Sequence, residues 1–224
     1  MSHYSPGRKL ATEFAGSALL LATIVGSGIM AQSLAEGNVA IALLANALAT
    51  GAMLVVLITM FGPISGAHFN PAVTLVFALK KALPLREAAL YCVAQLAGAF
   101  CGVLLAHVMF DLEILQTSTK IRSSTGQIVS EAVASFGLLL TILATLKVRE
   151  SAVAVSVGLY ITAAYWFTAS TSFANPAVTM ARAFSDSFAG IRPQDVAPFI
   201  AAQIAGALLA MVFAHWQTRD ENRR

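Results

Sequence analysis

Five residues occur twice in this chain, as Asn70-Pro71-Ala72-Val73-Thr74 and again as Asn175-Pro176-Ala177-Val178-Thr179. Asn is a favoured helix N-cap, and Pro is favoured at the first helical position, where its fixed φ suits the helix. Each copy therefore predicts a helix start, and the apolar stretches that follow end near Leu79 and Phe184. Helices this short cross about half of a bilayer core. Because irregular backbone at membrane depth must be covered by protein or water, the two motifs predict a polar cavity between them.

The composition is that of a membrane protein. Of the 224 residues, 58% are hydrophobic and 11% are charged, which lies outside the average of soluble domains. The formal net charge of +3 is explained by membrane topology, so we expect no nucleic-acid partner. Six stretches are long enough to span a bilayer, at 10–34, 39–61, 85–110, 127–146, 152–169 and 196–216. The sequence thus predicts one all-α membrane domain with six transmembrane helices and two re-entrant half-helices.

The two halves of the chain repeat each other. Glu13 in the first predicted span corresponds to Glu131 in the fourth, and Gln95 in the third corresponds to Gln203 in the sixth. These matches keep the order and nearly the separation of the paired motifs, which indicates an internal duplication over about 8–110 and 127–217. Since each half has three spans, an odd number, the second half enters the membrane from the opposite side.

Small residues recur on the third and sixth predicted spans. Gly98 and Gly102 are four residues apart, and Ala202, Gly206 and Ala210 repeat that spacing. Small residues let helices approach closely in lipid. We expect them to serve packing within one subunit.

The basic residues predict the orientation. Ten of the fourteen Lys and Arg residues fall on one side when the N-terminus is cytoplasmic: Arg8, Lys9, Lys80, Lys81, Arg86, Lys147, Arg149, Arg219, Arg223 and Arg224. By the positive-inside rule, we expect both termini to lie in the cytoplasm. We expect the protein to lie in the inner membrane of the cell. The first half-helix then enters from the cytoplasm and the second from outside. Their positive N-terminal ends meet near the bilayer centre.

These features together resemble the aquaporin family, also called the major intrinsic proteins. The resemblance rests on the paired Asn-Pro-Ala motifs, the lead-in at 65–69, the two glutamates and the two Gln-x-x-Gly sequences, and it covers nearly the whole chain. It implies a right-handed helical bundle that forms a homotetramer in the lipid bilayer. It also implies that Glu13 and Glu131 accept backbone N–H groups of the re-entrant loops and that His68 lines the cytoplasmic vestibule. An interfacial carboxylate at Glu13 and a loop-packing histidine at 68 are the alternatives.

The motif asparagines suit a pore for neutral solutes. Asn70 and Asn175 are predicted to cap their own helices with the side-chain oxygen and to leave the NH2 group free to donate into the cavity. The two positive helix ends repel cations, and the orientation that they impose on water interrupts a proton wire.

The resemblance also implies a narrow constriction outside the paired motifs. Water channels and glycerol facilitators of the family carry Arg directly after the second Asn-Pro-Ala, where this chain has Val178. The family's spacing places the other constriction positions at Thr50, at Ser172 and at either Ala163 or Tyr165. Ala163 would make the constriction wide and mildly polar, whereas Tyr165 would make it narrower and amphipathic.

Arg182 lies four residues beyond Val178, one turn along the same helix face. It is close enough in sequence to reach the constriction. An ion pair with Asp186, four residues further on, is the interpretation we favour for this position.

The function predicted from these residues is passive passage of water and small neutral solutes without ions or protons. A Val at position 178 resembles a bacterial branch of the family linked to arsenic detoxification, so neutral metalloid hydroxides join polyols as candidate solutes. A water-selective channel and a non-conducting structural protein of the same fold are the alternatives, and a secondary transporter would need coupling-ion ligands at the midplane. No catalytic grouping or metal cluster stands out in the sequence, so we expect neither an enzyme nor a cofactor.

Overall fold

The computed structural model describes residues 4–217, and within them eight α-helices and one 3-10 turn are formed, with no strand. The α-helices are α1 (Pro6–Leu34), α2 (Val39–Ser65), α3 (Pro71–Leu79), α4 (Leu85–Met109), α5 (Thr125–Val148), α6 (Val153–Phe167), α7 (Pro176–Arg182) and α8 (Pro193–Gln217). The all-helical architecture, with six spanning helices and the half-helices α3 and α7, agrees with the prediction. The cytoplasmic placement predicted for Arg219, Arg223 and Arg224 lies outside the described residues.

Two helices are shorter than expected. Five helices are long and apolar enough to span by themselves, whereas α6 has 15 residues and is preceded by the 3-10 turn Glu150–Ala152. Together they cover 150–167, about 27 Å at 1.5 Å per residue. The second half-helix, expected to reach Phe184, ends at Arg182.

Helix packing follows the small residues. Gly98 and Gly102 of α4 lie against the backbone carbonyls of Phe14 and Ala18 in α1, and Gly206 of α8 lies against the carbonyl of Ala132 in α5. A Cβ atom at Gly98 or Gly102 would collide with backbone that cannot move aside. The small-residue spacing therefore serves close packing within the chain, as predicted.

The loops that lead into α3 and α7 share an unusual backbone. Ala67 and Phe69 adopt φ of 50° and 48°, and their counterparts Ser172 and Ala174 adopt 51° and 47°. Each pair of counterparts is separated by the same number of residues as the two motifs. Left-handed backbone at residues other than glycine costs about 1–3 kcal/mol each and persists only where neighbouring groups hold it. The two loops therefore share the same local backbone conformation.

Candidate functional site

The two motif asparagines cap the half-helices. The side-chain oxygen of Asn70 accepts the N–H of Ala72 at 2.9 Å. The oxygen of Asn175 accepts the N–H groups of Ala177 at 2.9 Å and Val178 at 3.3 Å. Pro71 and Pro176 occupy the first helical position, where their missing N–H leaves no helical bond unmade.

The asparagine NH2 groups are less free than the sequence suggested. Asn70 donates through Nδ2 to the carbonyl of Ala174 at 2.8 Å, and Asn175 donates to the carbonyl of Phe69 at 2.7 Å. Each accepting carbonyl belongs to the residue in left-handed conformation just before the opposite asparagine. Because an amide NH2 has two hydrogens, each asparagine fastens the opposite loop with one and retains one for the cavity.

Glu13 holds the first re-entrant loop from behind. Its carboxylate accepts the backbone N–H groups of His68 at 3.0 Å and Phe69 at 2.8 Å, the Ser65 hydroxyl at 2.6 Å and the Gln95 amide at 2.8 Å. The side chain is fully buried in α1. An interfacial carboxylate, the alternative considered for this position, is therefore wrong.

Glu131 makes the corresponding contacts in the second half. Its carboxylate accepts the N–H groups of Phe173 at 2.9 Å and Ala174 at 2.8 Å and the amide of Gln203 at 2.6 Å. Gln203 also donates to the Thr179 hydroxyl at 2.7 Å. Charge-assisted hydrogen bonds of this kind are roughly twice as strong as neutral ones, so both loops are fixed to spanning helices.

A cavity of about 580 Å³ runs past both motifs. Apolar side chains form most of its wall, and its polar lining comes from Thr50, Thr59, His68, Asn70, Glu150, Ser151, Tyr165, Ser172, Asn175 and Arg182. His68 is half-buried, with Nδ1 3.1 Å from the Thr74 hydroxyl. The cavity thus combines apolar walls with a few fixed hydrogen-bonding groups.

Of the two residues considered for the fourth constriction position, Tyr165 and not Ala163 faces the cavity. Tyr165 is buried and lines the cavity, and its hydroxyl lies 3.2 Å from that of Thr50. Ala163 is exposed on the other face of α6 and does not line the cavity. Residues two positions apart in a helix point about 200° away from each other around the helix axis, so only one of Ala163 and Tyr165 can face the cavity. Val178 and Ser172 are both buried in the cavity wall.

The predicted ion pair between Arg182 and Asp186 is wrong. Asp186 accepts the backbone N–H and the hydroxyl of Thr119 at 2.8 and 2.9 Å. Arg182 turns inward instead, lines the cavity, and donates through Nε to the carbonyl of Ala189. Its guanidinium carbon lies 3.4 Å from the centroid of the Phe173 ring. The arginine that the motif lacks at position 178 is therefore present in the same cavity, one helical turn further along α7.

Arg122 is a residue that sequence reasoning missed. It lies in the connector before α5, where it is 5% exposed. Its side chain donates to the carbonyls of Gly190 at 2.8 Å and Ser170 at 3.0 Å, and its backbone N–H donates to Asp195 at 2.8 Å. Burial lowers the pKa of its guanidinium to about 10. A basic residue in a polar connector carries no sequence signal for such a role.

Comparisons with known proteins agree with this geometry. Residues 1–152 match the family model described as major intrinsic protein. The chain is 54% identical over 216 residues to aquaglyceroporin AqpS of Rhizobium meliloti (strain 1021), covering 96% of this chain and 92% of that relative. It is 32% identical to aquaporin NIP2-1 of Oryza sativa subsp. japonica, covering 82% of this chain and 63% of that relative. The X-ray structure of the aquaglyceroporin from Plasmodium falciparum aligns with a TM-score of 0.73 and 22% identity over 95% of both chains, which supports the fold.

Proposed function

We propose that compact polyhydroxylated molecules are among the solutes of this chain. The chain belongs to the major intrinsic protein family and is a passive membrane channel for water and small neutral solutes. The observation that carries this proposal is the cavity at the paired motifs. There two asparagine amides donate between walls that are mostly apolar. Membership of a family of transport proteins also supports our expectation that this chain is not an enzyme.

The cavity suits neutral solutes and opposes ions. A solute hydroxyl that has lost its hydration water can accept one N–H from each of Asn70 and Asn175 as the solute passes. An ion loses a hydration shell that these few groups cannot replace. The N-terminal ends of α3 and α7 carry partial positive charge at the same place, which opposes cations further.

The constriction residues favour a polyol over a strict preference for water. Val178 offers a methyl-bearing surface where a guanidinium would offer donors, while Thr50, Tyr165 and Ser172 offer hydroxyl groups. Such an amphipathic ring matches a molecule with hydroxyls along one edge and carbon on the other. Arsenous acid is neutral at neutral pH and carries three hydroxyls, so we include neutral metalloid hydroxides in the same solute class.

A water-selective channel is the second candidate. The hydrogen bond between Thr50 and Tyr165 closes part of the ring and makes it narrower than Ala163 would have made it. If that bond holds the pore at the width of one water, glycerol will not pass.

The membrane topology is a further part of the proposal. This integral, multi-pass chain is expected to keep both termini in the cytoplasm, because most of its basic residues then lie inside. His68 then faces the cytoplasmic vestibule and Arg182 faces the outer one. The family resemblance supports a homotetramer in the inner membrane.

Solute entry into proteoliposomes distinguishes the two candidates. Shrunken vesicles re-swell as fast as solute enters, so glycerol, a four-carbon polyol, urea and arsenous acid can be ranked against water in one preparation. We expect glycerol and arsenous acid to enter well above the rate of empty vesicles. Fast water with no entry of any solute would establish the water-selective candidate instead.

A further inference from the structure

The guanidinium of Arg182 has donors that the protein does not use. The side chain is 1% exposed, and its Nε–H bonds to the carbonyl of Ala189, but Nη1 has no hydrogen-bond partner among the described residues. A buried charged donor without a partner costs more free energy than an ordinary lost hydrogen bond. Because Arg182 lines the cavity, we expect the acceptor that Nη1 lacks in the protein to come from the contents of the cavity.

The position of this guanidinium is fixed from two sides. The centroid of the Phe173 ring lies 3.4 Å from the guanidinium carbon of Arg182 and 4.8 Å from that of Arg122. Arg122 is itself tied to the loops on either side of α7 through the carbonyls of Ser170 and Gly190. A planar cation stacked on an aromatic face keeps its N–H edge available for other acceptors. Phe173 and Arg122 are thus positioning residues for Arg182.

A second polar group in the wall of the same cavity is also without a partner among the described residues. The hydroxyl of Ser172 is buried in the wall of the same cavity and has no hydrogen-bond partner among the described residues. Arg182 can only donate, whereas Ser172 can both donate and accept. A solute hydroxyl also does both, so its chemistry matches either residue.

Arg182 forms no ion pair among the described residues, although the charges of Glu131 and Arg122 act on it with opposite sign. In the described part of the chain, the ion pairs join Lys9 to Glu87 and Arg192 to Asp195. A charge in a low-dielectric wall acts more strongly on a passing ion than the same charge in water. Arg182 is therefore suited to oppose cations at this end of the pore.

We propose that Arg182 is a selectivity-determining residue of the pore, donating to hydroxyl oxygens of neutral solutes and repelling cations from one turn beyond Val178. The inference rests on the proposed channel function and adds to it the residue that takes over the cationic role absent at position 178. This role of Arg182 differs from a general effect of positive charge at the mouth of the pore. Lys120, Arg122 and Arg192 lie near the same loops but do not line the cavity.

The test removes the charge of Arg182 and compares the effect with that of removing the charge of a nearby basic residue. Wild type, Arg182→Met, Arg182→Lys and the controls Lys120→Met and Arg192→Met are reconstituted into proteoliposomes. Proton and sodium entry are followed with trapped indicators under a potassium–valinomycin potential, and water and glycerol flux are measured in the same vesicles. Arg182→Gln serves as a second neutral variant, since its amide can still donate to the carbonyl of Ala189.

The proposal expects Arg182→Met and Arg182→Gln to raise proton entry by roughly tenfold or more, because a positive charge in the cavity wall is removed. Arg182→Lys and both controls are expected to stay close to wild type. Equal exclusion by the neutral variants, or an equal leak in Lys120→Met and Arg192→Met, would overturn the assignment to Arg182. If wild type itself passes neither water nor glycerol, the proposed channel function fails and this inference fails with it.

Discussion

The hydroxyl oxygen of Tyr165 lies 3.2 Å from the hydroxyl oxygen of Thr50 and joins α6 to α2 at the cavity wall. Tyr165 is 2% exposed, so the aromatic ring fills space that a solute would otherwise occupy. The residue two positions earlier, Ala163, points away. We therefore expect the width of the pore to depend on Tyr165, whose inward position follows from the register of α6.

Replacing Tyr165 with Ala should change the selectivity of the channel. Loss of the ring and of the bond to Thr50 widens the cavity, so the ratio of glycerol flux to water flux is expected to rise several-fold. Stopped-flow light scattering of proteoliposomes measures both fluxes. Ala163→Leu is the matched control on the opposite face of α6 and should leave the ratio unchanged. A changed ratio in Ala163→Leu alone would mean that the other face lines the pore.

An arginine introduced at Val178 should narrow the pore. Val178 is buried in the cavity wall, and a guanidinium there occupies space and adds a second cation near Arg182. We expect glycerol flux to fall by roughly tenfold and water flux to fall less, since a smaller molecule needs less of the lost width. The same reconstituted vesicles provide the measurement. Equal loss of both fluxes, with protein that aggregates on size exclusion, would indicate misfolding and not selectivity.

The carboxylate of Glu13 should be essential to the stability of the first re-entrant loop. In Glu13→Gln one oxygen becomes an NH2 group that faces donors of Phe69 and Gln95, so we expect the free energy of unfolding to fall by about 2–4 kcal/mol. Thermal unfolding in detergent, followed by circular dichroism, measures the loss. Glu87→Gln is the control, because its partly exposed pair with Lys9 should contribute less than about 1 kcal/mol. Similar losses in the two variants would contradict this account.

Lys120 should make the free energy of unfolding depend on pH in the alkaline range. Its ammonium donates to the carbonyl of Phe188 at 2.7 Å. Its pKa is lowered to about 8 from 10.5, chiefly by burial and then by the charges of Arg122 and Arg182. Between these two pH values the unfolded chain binds more protons than the folded chain. Stability from this group therefore rises across that window and is lost as pH falls through about 8.

The measurement for Lys120 is the melting temperature of wild type and Lys120→Met at several pH values across this window. The difference between them, wild type minus variant, should increase with pH. Lys147→Met, which removes an exposed lysine at the end of α5, should give a flat difference. Parallel curves for wild type and Lys120→Met would show that Lys120 has no such role.

Much of the fold could be predicted because its signals are local. Asparagine followed by proline starts a helix by itself, so the starts of α3 and α7 could be placed to the residue. The spanning helices followed from apolar length. Duplicated landmarks such as Glu13 and Glu131 added the relation between the halves. Apolar composition did not locate the ends of α6 and α7, because both helices end before the apolar stretch does.

The parts that could not be predicted depend on contacts between distant residues. Whether Ala163 or Tyr165 faces inward depends on the packing of α6, which family spacing left open by two residues. Arg182 points away from Asp186 because its guanidinium stacks on the Phe173 ring and donates to the carbonyl of Ala189. Asp186 instead accepts a hydrogen bond from the Thr119 hydroxyl. Neither partner stands at a helical spacing of three or four residues from Arg182, so the pattern of the sequence did not point to them.

The most direct test of the central claim is osmotic water and glycerol flux in proteoliposomes of the wild-type chain, with a trapped pH indicator in the same vesicles. A passive pore for neutral molecules predicts water and glycerol flux well above that of empty vesicles, with proton entry no faster than in those vesicles. Water and glycerol flux equal to that of empty vesicles, or flux accompanied by proton entry, would contradict the account.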